Sequence, residues 1–218
     1  MSAKPVIIRG VTGLLVLSIG SMCWFASARF VATSASKPKN INATSLHSGD
    51  IIFRRGVSIE SQAVIAMDGA STFSHVGIVL RQRDAVLVVH VVPGEGGADT
   101  TKIEPIEDFL RSDRASAARA YRVISENPSQ IERAVEIAKD YAQRQIPFDK
   151  NFDLTSDDAL YCTELVWRAY QKAGLDLVDG HLDESSSSLI RGPVLWPGSL
   201  LRSKHFVFAW EWKPEKEK

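Results

Sequence analysis

The sequence predicts an α+β fold in which an antiparallel sheet packs against helices. Three observations predict it: two apolar segments, residues 75–80 and 85–92, that a charged turn separates; an amphipathic segment at 129–142; and another that begins near Cys162. The first pair is typical of a β-hairpin, and the other segments repeat their apolar residues at helical spacing.

The first 28 residues have the pattern of a secretory signal or an N-terminal anchor. Lys4 and Arg9 precede an uncharged apolar run over residues 11–28, which closes on the small-x-small residues 26–28. This is typical of a bacterial signal peptide, and an uncleaved run of that length can cross a bilayer. We therefore expect an exported, periplasmic protein, either released or anchored to the inner membrane by residues 11–28.

The rest of the chain has the composition of a linker followed by one domain. Residues 29–45 are rich in Ser, Ala, Thr, Lys and Asn, which predicts a linker, and residues 46–218 are long enough for one substantial core. The chain is 44% hydrophobic and 24% charged, with a formal net charge of +0. Because it lacks a long basic stripe, nucleic acid is excluded as a partner, and oligomeric state stays open.

The domain's predicted elements follow one another with turn signals between them. They are a strand at 51–53, a helix at 58–67, the hairpin strands at 75–80 and 85–92, a short helix at 103–110, a strand at 117–124, a helix at 129–142 and a helix that ends at Gly174. Ser129 is expected to cap the helix at 129–142, and Ser156 or Asp157 the helix that carries Cys162.

Cys162 is the only cysteine left once the signal is removed, so it has no partner for an internal disulfide. A thiol at the start of a helix feels the helix dipole, and a nearby imidazole that takes its proton makes it a nucleophile. His75 opens one hairpin strand and His90 lies near the end of the other, so closure of the hairpin allows the two to be neighbours. The alternatives are a small buried thiol and histidines that only satisfy local hydrogen bonds.

The segments around these residues resemble the circularly permuted branch of the NlpC-type papain-like cysteine hydrolases, most closely its YaeF/YiiX-like amidase group. Lecithin retinol acyltransferase belongs to the same clan. The resemblance is carried by residues 48–53 (SGDIIF), 74–79 (SHVGIV), His90, 147–149 (PFD) and 161–166 (YCTELV).

The resemblance implies a circularly permuted papain-like fold with the catalytic cysteine at a helix N-terminus. It implies Cys162 as nucleophile, His75 as general base and then acid, and His90 as the third member of the triad, without a cofactor or metal. Bacterial relatives often have a glutamate where this chain has His90, and a neutral histidine lacks the charge with which a carboxylate stabilises imidazolium.

The expected function is cleavage of an amide or ester bond, in a peptide or a lipid-type small substrate, through an acyl-enzyme. The alternatives are acyl transfer on lipid substrates and a non-catalytic module of the same fold, for example one in which the three residues bind Zn²⁺. Membrane proximity stays open.

Several other residues are expected to have structural roles. Asp50 should position the first strand, and Glu164 should be solvated or form a structural pair. Trp196, Trp210 and Trp212 can line a hydrophobic cleft, although tryptophan more often packs in a core.

Overall fold

The computed structural model describes residues 35–38, 41–94, 99–185, 190 and 192–214. The predicted signal or anchor, residues 1–28, lies outside the described residues, and the predicted linker is described only at 35–38 and 41–45. Within the described ranges, no helix is both long and apolar enough to span a membrane.

A six-stranded antiparallel sheet organises the domain, with strand order β4-β3-β2-β1-β5-β8. Its strands are β1 (Ile51–Gly56), β2 (His75–Gln82), β3 (Ala85–His90), β4 (Lys102–Pro105), β5 (Ala115–Val123) and β8 (Phe206–Trp212). The short strands β6 (Asp183–Glu184) and β7 (Pro193–Val194) pair separately. The helices are α1 (Ile59–Asp68), α2 (Ile106–Phe109), α3 (Ser129–Gln143), α4 (Cys162–Lys172) and α5 (Pro197–Leu201). The α+β prediction is confirmed.

The two faces of the sheet bury different apolar clusters, as alternation along each strand requires. Ile51 and Phe53 of β1 belong to a cluster with α3 and α4, whereas Ile52 belongs to a second cluster with Phe109 of α2. The sheet is therefore covered on both sides, and α4 packs directly against β2.

A close approach between α4 and the loop before β1 holds α4 in place. The hydroxyl of buried Tyr170 donates a hydrogen bond to the carbonyl of Gly49, with an O···O distance of 2.5 Å. Gly49 has φ +90°, and a Cβ there would lie 2.3 Å from Cγ2 of Ile131. Only glycine therefore fits this turn without displacing α3.

The helix predicted at 103–110 is wrong over its first half. Residues Lys102–Pro105 form strand β4, which pairs with β3, and only Ile106–Phe109 are helical. The physical reason is Pro105, because the residue before a proline is pushed towards extended backbone. Glu104 consequently lies on the sheet, beside β3.

The predicted helix caps are also wrong. Ser129 is the first residue of α3, and the cap position is Pro128. Tyr161 occupies the cap position of α4 and makes no side-chain cap hydrogen bond, while Asp157 forms an ion pair with Lys172. The helix predicted at 58–67 forms as α1, but Ser58 is its cap and not its first residue. The helix buries none of its residues, and Ile59 is 85% exposed.

Candidate active site

A cavity of about 850 Å³ opens beside the N-terminal end of α4 and the beginning of β2. Cys162, His75 and Arg54 all line it. One wall is apolar and aromatic: Phe152 lines the cavity with the rings of Phe148, Tyr161 and Trp196 around it, at 5.1 to 6.2 Å between ring centres. The cavity thus combines a thiol, an imidazole and a cation with a surface suited to an apolar group.

Cys162 is the first residue of α4 and is a half-buried free thiol. Burial raises the pKa of the Cys162 thiol to about 11. The backbone N–H groups of Val76 and Thr163 and the charge of Arg54 oppose this rise, because each stabilises the thiolate. The sulfur therefore lies against the β2 backbone at the residue that follows His75.

The two histidines form a buried pair on adjacent strands. His75 Nε2 and His90 Nδ1 are 2.9 Å apart, with the rings nearly perpendicular, and both rings pack against Phe109. Gly77 makes the pairing possible, since a Cβ there would lie 2.8 Å from the carbonyl oxygen of Val89 and 3.1 Å from Cβ of His90. A side chain at this position would push β3 away from β2.

Glu104 of β4 extends the pair by one more group. His90 Nε2 is 2.9 Å from Oε1 of Glu104, and Nη1 of Arg114 lies 3.1 Å from each of the two carboxylate oxygens. Nζ of Lys102 lies 3.5 Å from Oε2. A continuous line of contacts thus runs from His75 through His90 to a carboxylate held by two cations.

The charges at this site follow from burial and from these contacts. Burial, and then the charge of Arg54, holds the pKa of His75 well below its usual value. Burial lowers the pKa of His90 to about 4, although Glu104 opposes the shift. Burial disfavours the Glu104 carboxylate, but the contacts with His90, Lys102 and Arg114 lower its pKa to about 2. At neutral pH the site therefore holds an ionised Glu104, two neutral imidazoles and a neutral thiol.

The structure brings together the predicted His75 and His90 in a hydrogen bond and places Cys162 in the same cavity as His75. Sequence reasoning missed Arg54 and Glu104. Arg54 pairs with His75 in the β1–β2 register and is only 2% exposed, with its guanidinium 4.7 Å from the centre of the Phe109 ring. An arginine directly after the apolar residues 51–53 was the available signal for a buried charge.

Of the other residues that the sequence analysis named, Trp196 lies at the cavity, whereas Trp210, Trp212 and Asp50 do not line it. Trp196 lines the cavity, whereas Trp210 packs in the cluster on the α2 side of the sheet with Trp212 at its margin. Asp50 accepts hydrogen bonds from Arg122.

Glu164 is completely buried, and its Oε1 accepts a hydrogen bond from Nε of Arg168 at 3.0 Å. It lies in the first turn of α4, two residues after Cys162, but does not line the cavity. Its role is therefore within the helix.

The hydrogen bond between His75 and His90 competes with the zinc site that the sequence offered as an alternative. The two ring nitrogens that face each other are hydrogen-bonded to each other, so a metal between them would first have to break that bond. Within the described ranges, no group of three or more His, Cys, Asp or Glu side chains is arranged to hold a metal ion. The geometry does not fit zinc ligation by Cys162, His75 and His90 together.

Two known proteins are similar to this chain, one in sequence and one in structure. The uncharacterised protein YiiX of Escherichia coli K12 is 30% identical over 128 residues, which are 58% of this chain and 58% of that protein. The crystal structure described as metalloprotein yiiX, from Escherichia coli O157:H7, has a TM-score of 0.64 and 24% identity, and the match covers 78% of this chain and 99% of that one. The alignment with the K12 protein thus spans little more than half of its length, and the crystal structure supports the fold alone.

The family comparison covers the elements that build the site. Residues 45–182 match the model described as "permuted papain-like amidase enzyme, YaeF/YiiX, C92 family". This region extends from the turn before β1, through α4, to the residue before β6 and includes Cys162, His75, His90 and Glu104. The chain therefore belongs to the permuted papain-like amidases of the YaeF/YiiX family.

Proposed function

We propose that this protein is an exported cysteine hydrolase that cleaves an amide or ester bond through an acyl-enzyme on Cys162. The observation that carries the proposal is a thiol at the start of a helix, in a cavity that it shares with His75, whose Nε2 is engaged by His90. This engagement leaves Nδ1 of His75 as the nitrogen for the thiol proton.

Attack begins with the Cys162 thiol and the His75 imidazole both uncharged, because burial favours the uncharged form of each. Nδ1 of His75 takes the proton of the Cys162 thiol as the sulfur forms a bond to the carbonyl carbon, and the carbonyl π electrons move onto oxygen. The resulting tetrahedral oxyanion is stabilised by the backbone N–H of Cys162 at the helix start and by the positive charge of Arg54.

Collapse of the tetrahedral intermediate completes acylation. The oxyanion re-forms the carbonyl, the bond to the leaving nitrogen or oxygen breaks, and His75 gives its proton to the leaving group. Water then attacks the thioester while His75 takes its proton, and expulsion of the Cys162 sulfur, reprotonated by His75, releases a carboxylic acid.

The cavity lining favours an acyl chain over a charged peptide as the group beside the scissile bond. The apolar wall defined above offers Phe152 and Trp196, whose ring centres are 6.1 Å apart. Arg111 also lines the cavity, but its Nε and Nη2 already donate to the two carboxylate oxygens of Asp113, at 3.0 and 2.6 Å, which reduces its use as a clamp for a substrate carboxylate. We propose a lipid-type amide or ester as the substrate.

Alkylation by iodoacetamide tests the nucleophile, with mass spectrometry to locate the adduct. We expect labelling at Cys162 to be lost in Cys162→Ala and to slow in His75→Ala by about 10²-fold or more, the scale of a general base. His181→Ala is the matched control, because that histidine is exposed and does not line the cavity. Equal labelling rates for wild type and His75→Ala would contradict the mechanism.

Turnover is tested with p-nitrophenyl acetate, p-nitrophenyl octanoate and octanoyl p-nitroanilide. We expect hydrolysis that requires Cys162 and favours the octanoyl probes, because an apolar wall stabilises a longer chain by about 0.8 kcal/mol per buried CH₂. Since the yiiX crystal structure is described as a metalloprotein, the assay is repeated after EDTA treatment and with added Zn²⁺. Activity that requires Zn²⁺ would refute a purely thiol-based mechanism.

Export is proposed from the N-terminal pattern alone. N-terminal sequencing of the protein recovered from a periplasmic extract tests it, with cleavage after residue 28 as the expected result. Recovery of the full chain in the cytosol would contradict export, and recovery of the uncleaved chain in the membrane fraction would indicate anchoring by residues 11–28.

A further inference from the structure

We propose that Glu104 is a positioning residue that acts through His90 to fix which nitrogen of His75 carries the proton. The inference rests on the proposed function, in which His75 accepts the proton of Cys162, and adds a group that lies outside the triad. Two hydrogen bonds in series, from His75 to His90 and from His90 to Glu104, and the two cations around the carboxylate support it.

The first step is the charge of Glu104. Nη1 of Arg114 is 3.1 Å from each carboxylate oxygen, and Nζ of Lys102 is 3.5 Å from one of them. Two cations at these distances favour the ionised form, and an ionised carboxylate can only accept hydrogen bonds. Glu104 therefore requires a donor wherever it contacts another group.

The contact with ionised Glu104 determines the tautomer of His90. Its Nε2 lies 2.9 Å from Glu104 Oε1, so Nε2 must carry a proton. A neutral imidazole has only one N–H, so Nδ1 of His90 is left as an acceptor. Nδ1 of His90 therefore requires a hydrogen-bond donor from the group that it contacts.

The third step reaches the catalytic base. Nε2 of His75 lies 2.9 Å from Nδ1 of His90 and must be the donor in that contact. His75 then has its proton on Nε2 and a free lone pair on Nδ1, the tautomer that can accept a proton from Cys162. With a donor in place of Glu104, both imidazoles could reverse, and Nδ1 of His75 would carry a proton that blocks it as a base.

The fold supplies this line of groups from neighbouring strands. His75 lies on β2, His90 on β3 and Glu104 on β4, and these three strands are adjacent in the sheet. Phe109 covers both imidazole rings, which limits their rotation. His90 is completely buried, so water does not compete for its nitrogens at the surface.

The direct test is ¹⁵N NMR of the two imidazoles in the substrate-free full chain at pH 7. We expect both histidines to carry the proton on Nε2 in the wild type. In Glu104→Ala and Glu104→Gln we expect a measurable population with the proton on Nδ1 of His75. A wild-type His75 protonated on Nδ1, or tautomers that do not change in either variant, would overturn the proposal.

Kinetics give an independent readout. We expect Glu104→Ala to lower kcat/KM for p-nitrophenyl octanoate by roughly 10²–10⁴-fold, the range that a correctly protonated general base contributes, with little change in KM. Added formate should restore part of the activity, since Glu104 is near the surface, with a side chain 13% exposed. Loss of less than threefold, or no rescue, would overturn the positioning role.

Controls separate positioning from folding and from the proposed function. Glu107→Ala removes an exposed carboxylate on the adjoining helix α2 and should leave activity unchanged. Thermal unfolding identifies any variant that does not fold, in which case Glu104→Asp takes its place. If the wild type shows the expected tautomers but Cys162 does not react, the hydrolase proposal fails while the positioning inference stands.

Discussion

The buried carboxyl of Glu164 predicts an unusual dependence of stability on pH. Burial raises the pKa of Glu164 from 4.5 to about 8, although Arg168 and the backbone N–H of Tyr161 oppose the rise. A group whose pKa is raised by folding binds a proton in the folded chain that the unfolded chain releases. Its stabilising effect is complete below pH 4.5 and is lost as pH rises to about 8.

The magnitude follows from the two pKa values. Each unit of pH between them lowers the free energy of unfolding by about 1.4 kcal/mol for one proton, which gives roughly 3 to 4 kcal/mol between pH 5 and pH 8. Glu164→Gln removes the titration but keeps an oxygen that can accept from Nε of Arg168. Relative to the wild type, this variant should therefore gain stability by that amount as pH rises.

Urea unfolding of both proteins at pH 5, 6.5 and 8 provides the measurement. The histidines titrate equally in both proteins, so the difference between the two free energies isolates Glu164. Glu132→Gln is the matched control, because Glu132 also lies in the first turn of a helix but is exposed, and its difference from wild type should be constant. A Glu164→Gln difference that is constant within 1 kcal/mol over this range would refute the reasoning.

Three further predictions concern the site. In the wild type, the alkylation rate of Cys162 should be nearly independent of pH between 6.5 and 8, because the pKa of His75 lies well below this range and the pKa of the thiol is about 11. In His75→Ala the alkylation rate should rise about tenfold per pH unit, because only the thiolate reacts. A wild-type rate as steep as that of the variant would contradict base assistance. Gly77→Ala should destabilise the fold by about 1–3 kcal/mol in urea and slow alkylation, because its Cβ would lie 2.6 Å from Cγ1 of Val88; unchanged values for both would contradict the packing argument. Trp196→Ala should raise KM for p-nitrophenyl octanoate and leave p-nitrophenyl acetate unaffected, and an equal change for both esters would argue against an acyl-binding wall.

The hairpin and the two amphipathic helices were predictable because periodic burial determines them. The predicted strand 75–80 corresponds to His75–Gln82, the predicted strand 85–92 to Ala85–His90 and the predicted helix 129–142 to Ser129–Gln143. Strand β8 (Phe206–Trp212) was not predicted, although its aromatic residues have high strand propensity. Its apolar residues lie on both sides of the strand, and Phe208 is 59% exposed, so the alternation that marks a half-buried strand is absent.

Glu104 was missed for a different reason. Ile103, Ile106 and Leu110 recur at helical spacing, which favoured a helix over residues 103–110. Pro105 contradicted that interpretation, because a residue before proline avoids helical backbone. Even with β4 assigned, contact between Glu104 and His90 depends on strand order, which no local pattern determines.

Because the Glu104 carboxylate is separated from His75 by His90, we expect the reaction to begin from an uncharged thiol and an uncharged imidazole. In a triad with a carboxylate beside the catalytic imidazole, the charge lies about 4 Å from an imidazolium. Here His90 stands between them: its ring centre is 5.0 Å from that of His75 and its Nε2 is 2.9 Å from Glu104, which puts the charge roughly 8 Å from His75. At an effective dielectric constant near 20, the attraction falls from about 4 to about 2 kcal/mol. Arg54 further disfavours a positive His75, and burial disfavours the Cys162 thiolate. The line from Glu104 to His75 therefore contributes orientation and tautomer more than charge, and the proton should move from sulfur to Nδ1 only as the new bond to carbon forms.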